Sequence, residues 1–434
     1  MEISGWGKSK KIVAETELLE NFDLRSLRET TKRHDTFIVR GLGRSYGDSS
    51  LADRVVLTTN YNRMLNFDPL NGILHCEAGC SLAEIIQVFL PQGWFLPVAP
   101  GTKYVSVGGA IASDVHGKNH HIAGSFSEHL LGFRLVTGDG ELRTCSKTET
   151  PELFNATCGG MGLTGIITDA TIKLIPVKSA LIDQTIIKAQ NLGELIQLFE
   201  KHASVQYSVA WIDCLKRGNQ LGRGLLMLGR ESDKSDLAYT ERKPIAVPFG
   251  LPSFALNQIT VSVFNEFYFQ KVKQLHIQST TNIDPFFYPL DSIRNWNLMY
   301  GKPGFYQYQF AIPKRVGSEP LVNMLSDIAS SGQSSFLAVL KYFGPSNNNY
   351  LSFPMEGLTL AVDFKANSDS RKLMDRLDQI VGECGGRVYL AKDARMSAES
   401  FRKYYPNWEA LAEIREQYKS NLYFNSVQSR RLGI

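Results

Sequence analysis

The chain has 434 residues, of which 43% are hydrophobic and 21% charged, and its net charge is +4. This length predicts two or three domains, and the weakly basic balance lacks the strong charge of nucleic-acid-binding proteins, so no nucleic-acid partner is expected. The six dispersed cysteines favour reduced thiols and a cytoplasmic location. Because we see neither an apolar leader nor a run of about 18 apolar residues, we expect no secretion signal and no membrane-spanning helix.

A glycine-rich loop follows the first predicted strand, residues 35–40. The loop, at 41–48, is followed by a second strand at 55–59 and not by a helical pattern. A dinucleotide-binding βαβ unit requires a helix at this point, so that interpretation fails. The loop can still present backbone N–H groups beside Arg40 and Arg44 to a pyrophosphate. A plain glycine-rich turn between strands explains it equally well.

Residues 100–126 contain a Gly-Gly pair followed by small residues, with little helical periodicity. Such backbone is typical of a place that a bulky group approaches closely, so we expect a flat, phosphate-bearing cofactor here. A strand predicted at 72–78 and a helix with a capping box at Ser81 and Glu84 precede this stretch.

A third glycine cluster, residues 159–165, lies near the end of the strand-rich first part of the chain. A hairpin is predicted at 129–146 and a short helix from Pro151, and a strand is predicted at 166–175. Three glycine clusters in one region are less easily explained by turns than one, which favours the cofactor interpretation.

Beyond Pro176 the pattern predicts a helix at 191–203 and strands at 206–213 and 222–230. The uncharged segment 244–256 is interrupted by three prolines and is too short and too broken to span a bilayer. It is either a buried loop or an apolar flap that touches lipid or covers a site.

From residue 304 the periods alternate as β-α-β-β-α-β, the ferredoxin-like order, which leaves one face of an antiparallel sheet free to cover a ligand. Thr359 and Asp363 share the face opposite the large apolar residues of their strand, and Gln307 and Gln309 also share a face. The predicted elements are strands 304–312, 335–343, 357–364 and 387–391, helices 317–330 and 369–383, and further helices within 397–420.

His116, His120 and His121 raise the question of a metal, because H-x-x-x-H-H on a helix presents two ligands. The intervening Gly-Lys-Asn is a poor helix and supplies no acidic base. We therefore expect no metal site.

Three segments resemble the flavin-binding segments of the vanillyl-alcohol-oxidase/p-cresol-methylhydroxylase superfamily: RGLGRSYGD (40–48), PGTKYVSVGGAIASDVHGKNHH (100–121) and GGMGLTGII (159–167). Within it, HGKNHH, FYQYQF (305–310) and VYLAKDAR (388–395) resemble the decaprenylphosphoryl-ribose 2′-oxidases, the flavin halves of two-component sugar epimerases. The resemblance extends from about residue 35 to the C-terminus.

The resemblance implies an α+β fold with three parts. These are an FAD-binding domain of two small α/β subdomains at 1–178, a substrate domain with an antiparallel ferredoxin-like sheet at 179–390, and a return to the FAD domain at 391–434. Many sugar oxidases of the superfamily tether the flavin through a histidine located where Tyr46 lies here. We therefore expect non-covalent FAD, with His116 hydrogen-bonded to it.

The flavin contacts that the resemblance implies are Arg40, Gly41, Leu42, Gly43, Arg44, Ser45, Tyr46, Gly47, Asp48, Ser49, Gly101, Ser106, Val107, Gly108, Gly109, Ser113, Asp114, Val115, His116, Ile166 and Tyr389.

Oxidising a secondary alcohol requires a base and precise positioning of the C–H bond. Lys392 and Lys118 are the cationic candidates over the flavin; either can orient the hydroxyl or, with a lowered pKa, accept its proton, with Tyr46 as a relay. A lysine taken alone is more often a solvated surface group.

The residues that resemble substrate contacts are Gln307, Gln309, Lys341, Thr359 and Trp211. A solvent-facing polar sheet explains the glutamines and Lys341 equally well, and a core position explains Trp211. The family's Asn-x-Cys is Thr-Leu-Ala here, and Val209 stands where a serine is expected, so the exact sugar stays open.

These features predict an FAD-dependent oxidoreductase that acts on a CH–OH group. Its substrate would be a lipid-linked sugar, a polyprenyl-phosphate-linked pentose oxidised at the 2′-hydroxyl to the keto sugar, as in cell-wall or glycolipid biosynthesis. A separate NAD(P)H-dependent short-chain reductase would complete an epimerisation, and peripheral membrane contact is compatible with this role. Two alternatives remain: a soluble aldonolactone or alditol oxidase that acts on a free sugar, and a non-catalytic flavoprotein subunit.

Overall fold

The computed structural model describes residues 1–19, 29, 36–241, 244–247, 250, 257–333 and 335–434. Most of the apolar segment 244–256, and the first residue of the strand predicted from residue 35, lie outside this description. The described chain is an α+β fold in which a strand-rich first part packs against a large antiparallel sheet. The predicted fold class is therefore confirmed.

The chain begins with a hairpin and a small parallel sheet, ordered β3-β5-β4. Across residues 41–53, all of them described, β4 passes to β5 through a loop without a helix, as the glycine pattern predicted. The strands are β1 (Glu2–Ser4), β2 (Lys11–Val13), β3 (Glu15–Leu18), β4 (Ile38–Arg40) and β5 (Arg54–Leu57).

A five-stranded antiparallel sheet, ordered β10-β9-β11-β7-β6, follows. Its strands and the short β8–β12 pair are β6 (Met64–Asp68), β7 (Ile73–Glu77), β8 (Trp94–Phe95), β9 (Leu130–Val136), β10 (Leu142–Cys145), β11 (Ile166–Lys173) and β12 (Ile175–Pro176). The helices are α1 (Leu82–Phe89), α2 (Val107–Ala112), α3 (His120–Ala123) and α4 (Pro151–Thr157). The hairpin and the capping box of Ser81 and Glu84 are confirmed.

The second part is an eight-stranded antiparallel sheet, ordered β17-β13-β15-β14-β20-β21-β19-β22. Its strands are β13 (Leu181–Ala189), β14 (Tyr207–Ile212), β15 (Gly224–Glu231), β17 (His276–Asn282), β19 (Phe305–Pro313), β20 (Ala338–Phe343), β21 (Gly357–Lys365) and β22 (Arg387–Val388), while β16 (Ile245–Ala246) pairs with β18 (Ile293–Arg294) outside the sheet. Its helices are α5 (Leu192–Lys201), α6 (Gln258–Gln270), α7 (Ile283–Phe287), α8 (Glu319–Ser330) and α9 (Ser368–Glu383).

This sheet contains two β-α-β-β-α-β units joined edge to edge through β14 and β20. The second unit is the ferredoxin-like unit that the sequence predicted. The first has the same strand order but was not predicted, because its last strand, His276–Asn282, is polar and largely exposed. Its second helix, α6, packs on the face that carries Trp211.

The C-terminal helices return to the first part of the chain. They are α10 (Ala398–Tyr404), α11 (Trp408–Gln417), α12 (Ser420–Tyr423) and α13 (Val427–Leu432). The ring of Phe424 lies 5.1 Å from that of Phe37, and Ser420 donates to the carbonyl of Thr164 at 2.6 Å.

All six cysteines lie in the described part of the chain and are free thiols. Among the described helices, none is both long and apolar enough to cross a bilayer.

Candidate active site

The glycine loop 41–48 lies against two other segments. A Cβ added at Gly41 would collide with the hydroxyl of Ser106, at the N-terminus of α2. The backbone N–H of Tyr46 donates to the carbonyl of Ala391 at 2.9 Å. These contacts bring the loop, the Gly-Gly stretch and the segment after β22 to one place.

The N-terminal hairpin supports the same loop, which the sequence did not reveal. Trp6 donates its backbone N–H to Ser45 at 2.8 Å, and the guanidinium of Arg44 lies 4.6 Å from the centre of the Trp6 ring. Arg40 donates to the carbonyl of Ser4 at 2.8 Å. The hairpin strands are three residues long, too short to show a period.

Backbone is open to solvent at two glycines near these segments, and we call this open backbone the groove. Gly101 and Gly109 are exposed, and a Cβ at Gly101 would meet no atom within 4 Å. Burial and the neighbouring charge of Arg44 lower the pKa of Arg40. Open backbone beside two close guanidinium groups fits the pyrophosphate of a dinucleotide, so the residues present fit FAD.

Two of the predicted flavin contacts have carboxylates that are already occupied. Asp48 is buried and accepts from Arg431 at 2.8 Å. Asp114 accepts from Ser125 at 2.9 Å and from Asn347 at 2.7 Å. Since buried carboxylates need such partners, these two side chains hold the loops in place.

Ile166 and Tyr389 are two further predicted flavin contacts, and they differ in how the protein holds them. The side chain of Ile166 is fully buried in an apolar cluster with Val136 and Phe424. Tyr389 donates its hydroxyl to the carbonyl of Ser113 at 2.8 Å, which fixes the segment before His116.

His116 lies at the floor of the site. Its Nε2 accepts from Gln309 at 3.0 Å, while its buried Nδ1 has no partner within the described residues. Burial and then the charge of Lys341 hold the pKa of His116 well below its usual value, so the ring is neutral. A buried polar atom without a partner is unusual and is the second feature that fits a bound group.

The other two histidines bond to backbone. His120 Nδ1 accepts from the N–H of Gly344 at 3.1 Å, and His121 Nε2 donates to the carbonyl of Val205 at 2.9 Å. No cluster of His, Cys, Asp and Glu side chains that could hold a metal occurs in the described ranges.

Lys392 lies at a turn, because β22 ends at Val388 and not at 391 as predicted. Its backbone N–H donates to the carbonyl of Tyr389 at 3.0 Å, and its ammonium lies 3.7 Å from the centre of the Tyr46 ring. Burial is the main cause that lowers the pKa of Lys392 to about 7; Asp363 opposes the shift and Lys341 adds to it.

Asp363 lies beside Lys392 and Tyr46. The sequence predicted which face of its strand Asp363 occupies, but it did not predict a role. Gln307, its register partner on β19, donates to one carboxyl oxygen at 2.7 Å, and Tyr300 donates to the other at 3.2 Å. Burial raises the pKa of Asp363 to about 7. Burial raises the pKa of Tyr46 well above its usual value, and the nearby side chain of Gln307 opposes this shift.

Lys118 and Lys341 lie near each other on another side of the site. Lys118 donates to the carbonyl of Phe286 and lies 4.6 Å from the centre of that ring. Burial and the charge of Lys341 lower the pKa of Lys118 to about 7, and burial lowers that of Lys341 to about 8. Both side chains, like that of Lys392, keep some accessible surface. Because the charge of Lys341 acts on Lys118, Lys392 and His116, these side chains surround one space, which we call the chamber.

Thr359 and Trp211 are less available to a substrate, because their polar groups are hydrogen-bonded within the protein. Thr359 donates its hydroxyl to the carbonyl of Phe310 at 2.8 Å and receives a long contact from Gln309, at 3.4 Å. Trp211 is buried against Tyr268 of α6, and its indole N–H donates to Phe336 at 3.2 Å. The position of Trp211 is that of a core tryptophan.

Comparison with known proteins agrees with this geometry. The chain matches the FAD binding domain family over residues 24–146. It is 35% identical to decaprenylphosphoryl-β-D-ribose oxidase of Mycolicibacterium smegmatis, over 100% of this chain and 97% of that protein. It is 32% identical to an uncharacterised protein of Streptomyces coelicolor over 82% of this chain and all of that protein. It is 20% identical to L-gulono-1,4-lactone dehydrogenase of Mycobacterium tuberculosis over 93% of this chain and 92% of that protein.

Proposed function

Because the chain belongs to the family of FAD-dependent oxidoreductases that includes decaprenylphosphoryl-β-D-ribose oxidase, we propose that it oxidises the 2′-hydroxyl of a polyprenyl-phosphate-linked pentose to the ketone. The observation that carries the proposal is the group formed by Lys392, Tyr46 and Asp363 in a chamber beside the nucleotide groove. A lysine with a pKa of about 7 can exchange a proton at neutral pH.

The loop 40–49 and the backbone of Gly101 and Gly109 would hold the pyrophosphate of FAD, without a covalent bond to the protein. Tyr46 cannot form the histidyl bond that tethers flavin in related sugar oxidases. When bound, FAD supplies the two-electron acceptor for the hydride of the sugar C–H bond.

The side chains of the chamber supply the proton chemistry. Lys392, in its neutral form, accepts the proton of the hydroxyl as the carbonyl forms. Asp363 lies where its charge stabilises the ammonium that results, and a hydrogen bond from Gln307 fixes Asp363. Gln309 and His116 form the floor against which the sugar is positioned.

The ketone is then reduced by a separate NAD(P)H-dependent short-chain reductase. Oxidation followed by hydride delivery to the opposite face inverts the carbon, so the two enzymes together epimerise the sugar. A coupled assay tests this step: with the reductase and NAD(P)H present, the epimeric lipid-linked pentose should accumulate, and without it only the ketone.

The enzyme meets its lipid-linked substrate at an anionic membrane surface through α6. Three large apolar side chains of this helix, Ile259, Val263 and Phe267, are 76%, 65% and 71% exposed. Its one acidic residue, Glu266, is paired with Arg223 at 2.8 Å, and lysines follow the helix at 271 and 273. An exposed apolar stripe beside basic residues is typical of helices that lie in the lipid interface.

α6 is also connected to the chamber. Phe264 contacts Phe336 with ring centres 5.9 Å apart, and Phe336 stacks on Tyr300 at 5.8 Å. Tyr300 is the residue that donates to Asp363. These packed rings connect the exposed helix to the group around Asp363.

Anaerobic titration of the FAD-loaded protein separates the proposal from its alternatives. Bleaching of the flavin band by prenylphosphoryl pentoses, and not by free aldonolactones or alditols, is the expected result. Bleaching by the free sugars alone would indicate an aldonolactone or alditol oxidase. Absence of bleaching by any sugar, together with an unchanged cellular role of the Lys392→Ala variant, would indicate a non-catalytic subunit.

A further inference from the structure

Lys118 and Lys341 form a pair of partly buried ammonium groups without a counterion among the described residues. The ammonium of Lys341 makes no hydrogen bond or ion pair within the described chain, and it lies 5.9 Å from the centre of the Phe343 ring. The ammonium of Lys118 meets only a carbonyl and aromatic rings, those of Phe286 and Phe287. Two close, partly desolvated cations without an anion are costly.

Lys392 differs from this pair, because Asp363 faces it and raises its pKa. No carboxylate contributes to the lowered pKa of Lys118 or Lys341. The charge of Lys341 also lowers the pKa of His116 and His120. The chamber therefore has a neutralised side at Lys392 and a positive side at Lys118 and Lys341.

The sheet explains why the pair forms. Lys341 shares a face of β20 with its register partner Thr359 on β21. The backbone carbonyl of Lys118 accepts from Ser208 of β14 at 2.9 Å, and β14 is the strand next to β20. Lys341 therefore lies on the face that carries Gln309, and the backbone of Lys118 is held by the neighbouring strand.

The proposed substrate has an anion at a matching position. In a glycosyl phosphodiester the phosphorus is three covalent bonds from the 2′-carbon, so a pocket that holds this carbon must also enclose the phosphoryl group. We propose, on the basis of the proposed function, that Lys118 and Lys341 bind this phosphoryl group and that Lys392 acts at the reacting carbon. Charge-assisted hydrogen bonds from both ammonium groups would then select phosphoryl-linked sugars.

Prenyl methyl phosphate, a diester with one negative charge and no sugar, tests the site without turnover. Its binding to the FAD-loaded protein is measured by calorimetry and compared with that of the uncharged prenyl methyl ether. The wild type should prefer the phosphate by about tenfold to a hundredfold, and Lys341→Gln and Lys118→Gln should lose most of this preference. Lys372→Gln, on the exposed side of α9, should keep it.

One further variant helps to decide the interpretation. Lys341→Arg should recover part of the preference, because it keeps the charge. The proposal is wrong if Lys341→Gln keeps the full preference for the phosphate, whether or not this variant also loses FAD. Because the probe contains no sugar, a preference lost in the lysine variants supports the subsite even when no pentose is oxidised, which would count against the proposed reaction alone.

Discussion

Asp363→Asn should make the protein more stable at neutral pH while making it a poorer enzyme. Burial raises the pKa of this carboxyl from 3.8 to about 7, so the folded state holds a proton that the unfolded chain has already lost. The contribution of the Asp363 carboxyl to the unfolding free energy is fully present below about pH 4 and is lost as the pH rises through 7. The change in pKa corresponds to about 4 kcal/mol.

The asparagine variant has no such loss. Its unfolding free energy relative to wild type should rise by up to about 4 kcal/mol between about pH 4 and pH 7 and then level off. Lys392 changes this pH dependence in the same direction, because its pKa falls further in the folded variant, which lacks the facing carboxylate. The variant also loses stability of about 1–3 kcal/mol at every pH, because the hydrogen bonds from Gln307 and Tyr300 are weakened. The change of the unfolding free energy with pH is therefore the quantity to compare.

Urea unfolding over this pH range, at one fixed FAD concentration, measures the effect. Asp233→Asn, at an exposed position, is the matched control and should run parallel to wild type. Parallel curves for Asp363→Asn and wild type would refute the buried, raised-pKa carboxyl. Turnover of Asp363→Asn should fall, because the ammonium formed at Lys392 has lost its anion.

Lys392→Ala should keep FAD but reduce the rate of anaerobic flavin bleaching by about 100-fold or more; an unchanged rate would remove Lys392 as the base. Gly101→Val should fold normally by circular dichroism but lose the flavin absorbance, because its side chain would enter the open groove; full retention of FAD would place the cofactor elsewhere. Acid precipitation of the wild type should leave the yellow colour in the supernatant, and a yellow pellet would reveal a covalent bond. Replacing Ile259, Val263 and Phe267 with Ser should reduce sedimentation with anionic vesicles without altering flavin bleaching by a short-chain substrate, and equal sedimentation would exclude α6 as the lipid contact.

Local patterns account for what the sequence predicted well. The capping box of α1, the hairpin of β9 and β10, and the ferredoxin-like order from β19 to β22 depend on spacing within short segments. Period 2 also placed Gln307 and Asp363 on faces that the register confirms as shared.

Long-range pairing accounts for what was missed. β17 is polar and forms only because β13 pairs with it, and the N-terminal hairpin is recognisable only once it packs on the loop of Tyr46. Trp211 is apolar and lies on the correct face, yet α6 covers it and makes it a core residue.

The glycine loops could be predicted from the amino-acid sequence, because backbone freedom and side-chain type are local properties. The cofactor class, and Lys392 as a candidate base, came from the resemblance of short motifs. The proton affinities of Lys392 and Asp363, and the uncompensated pair of Lys118 and Lys341, arose only in the folded molecule. Desolvation and the distance between charges depend on residues far apart in the chain, so folding alone decides which ammonium group meets a carboxylate and which is left for a ligand.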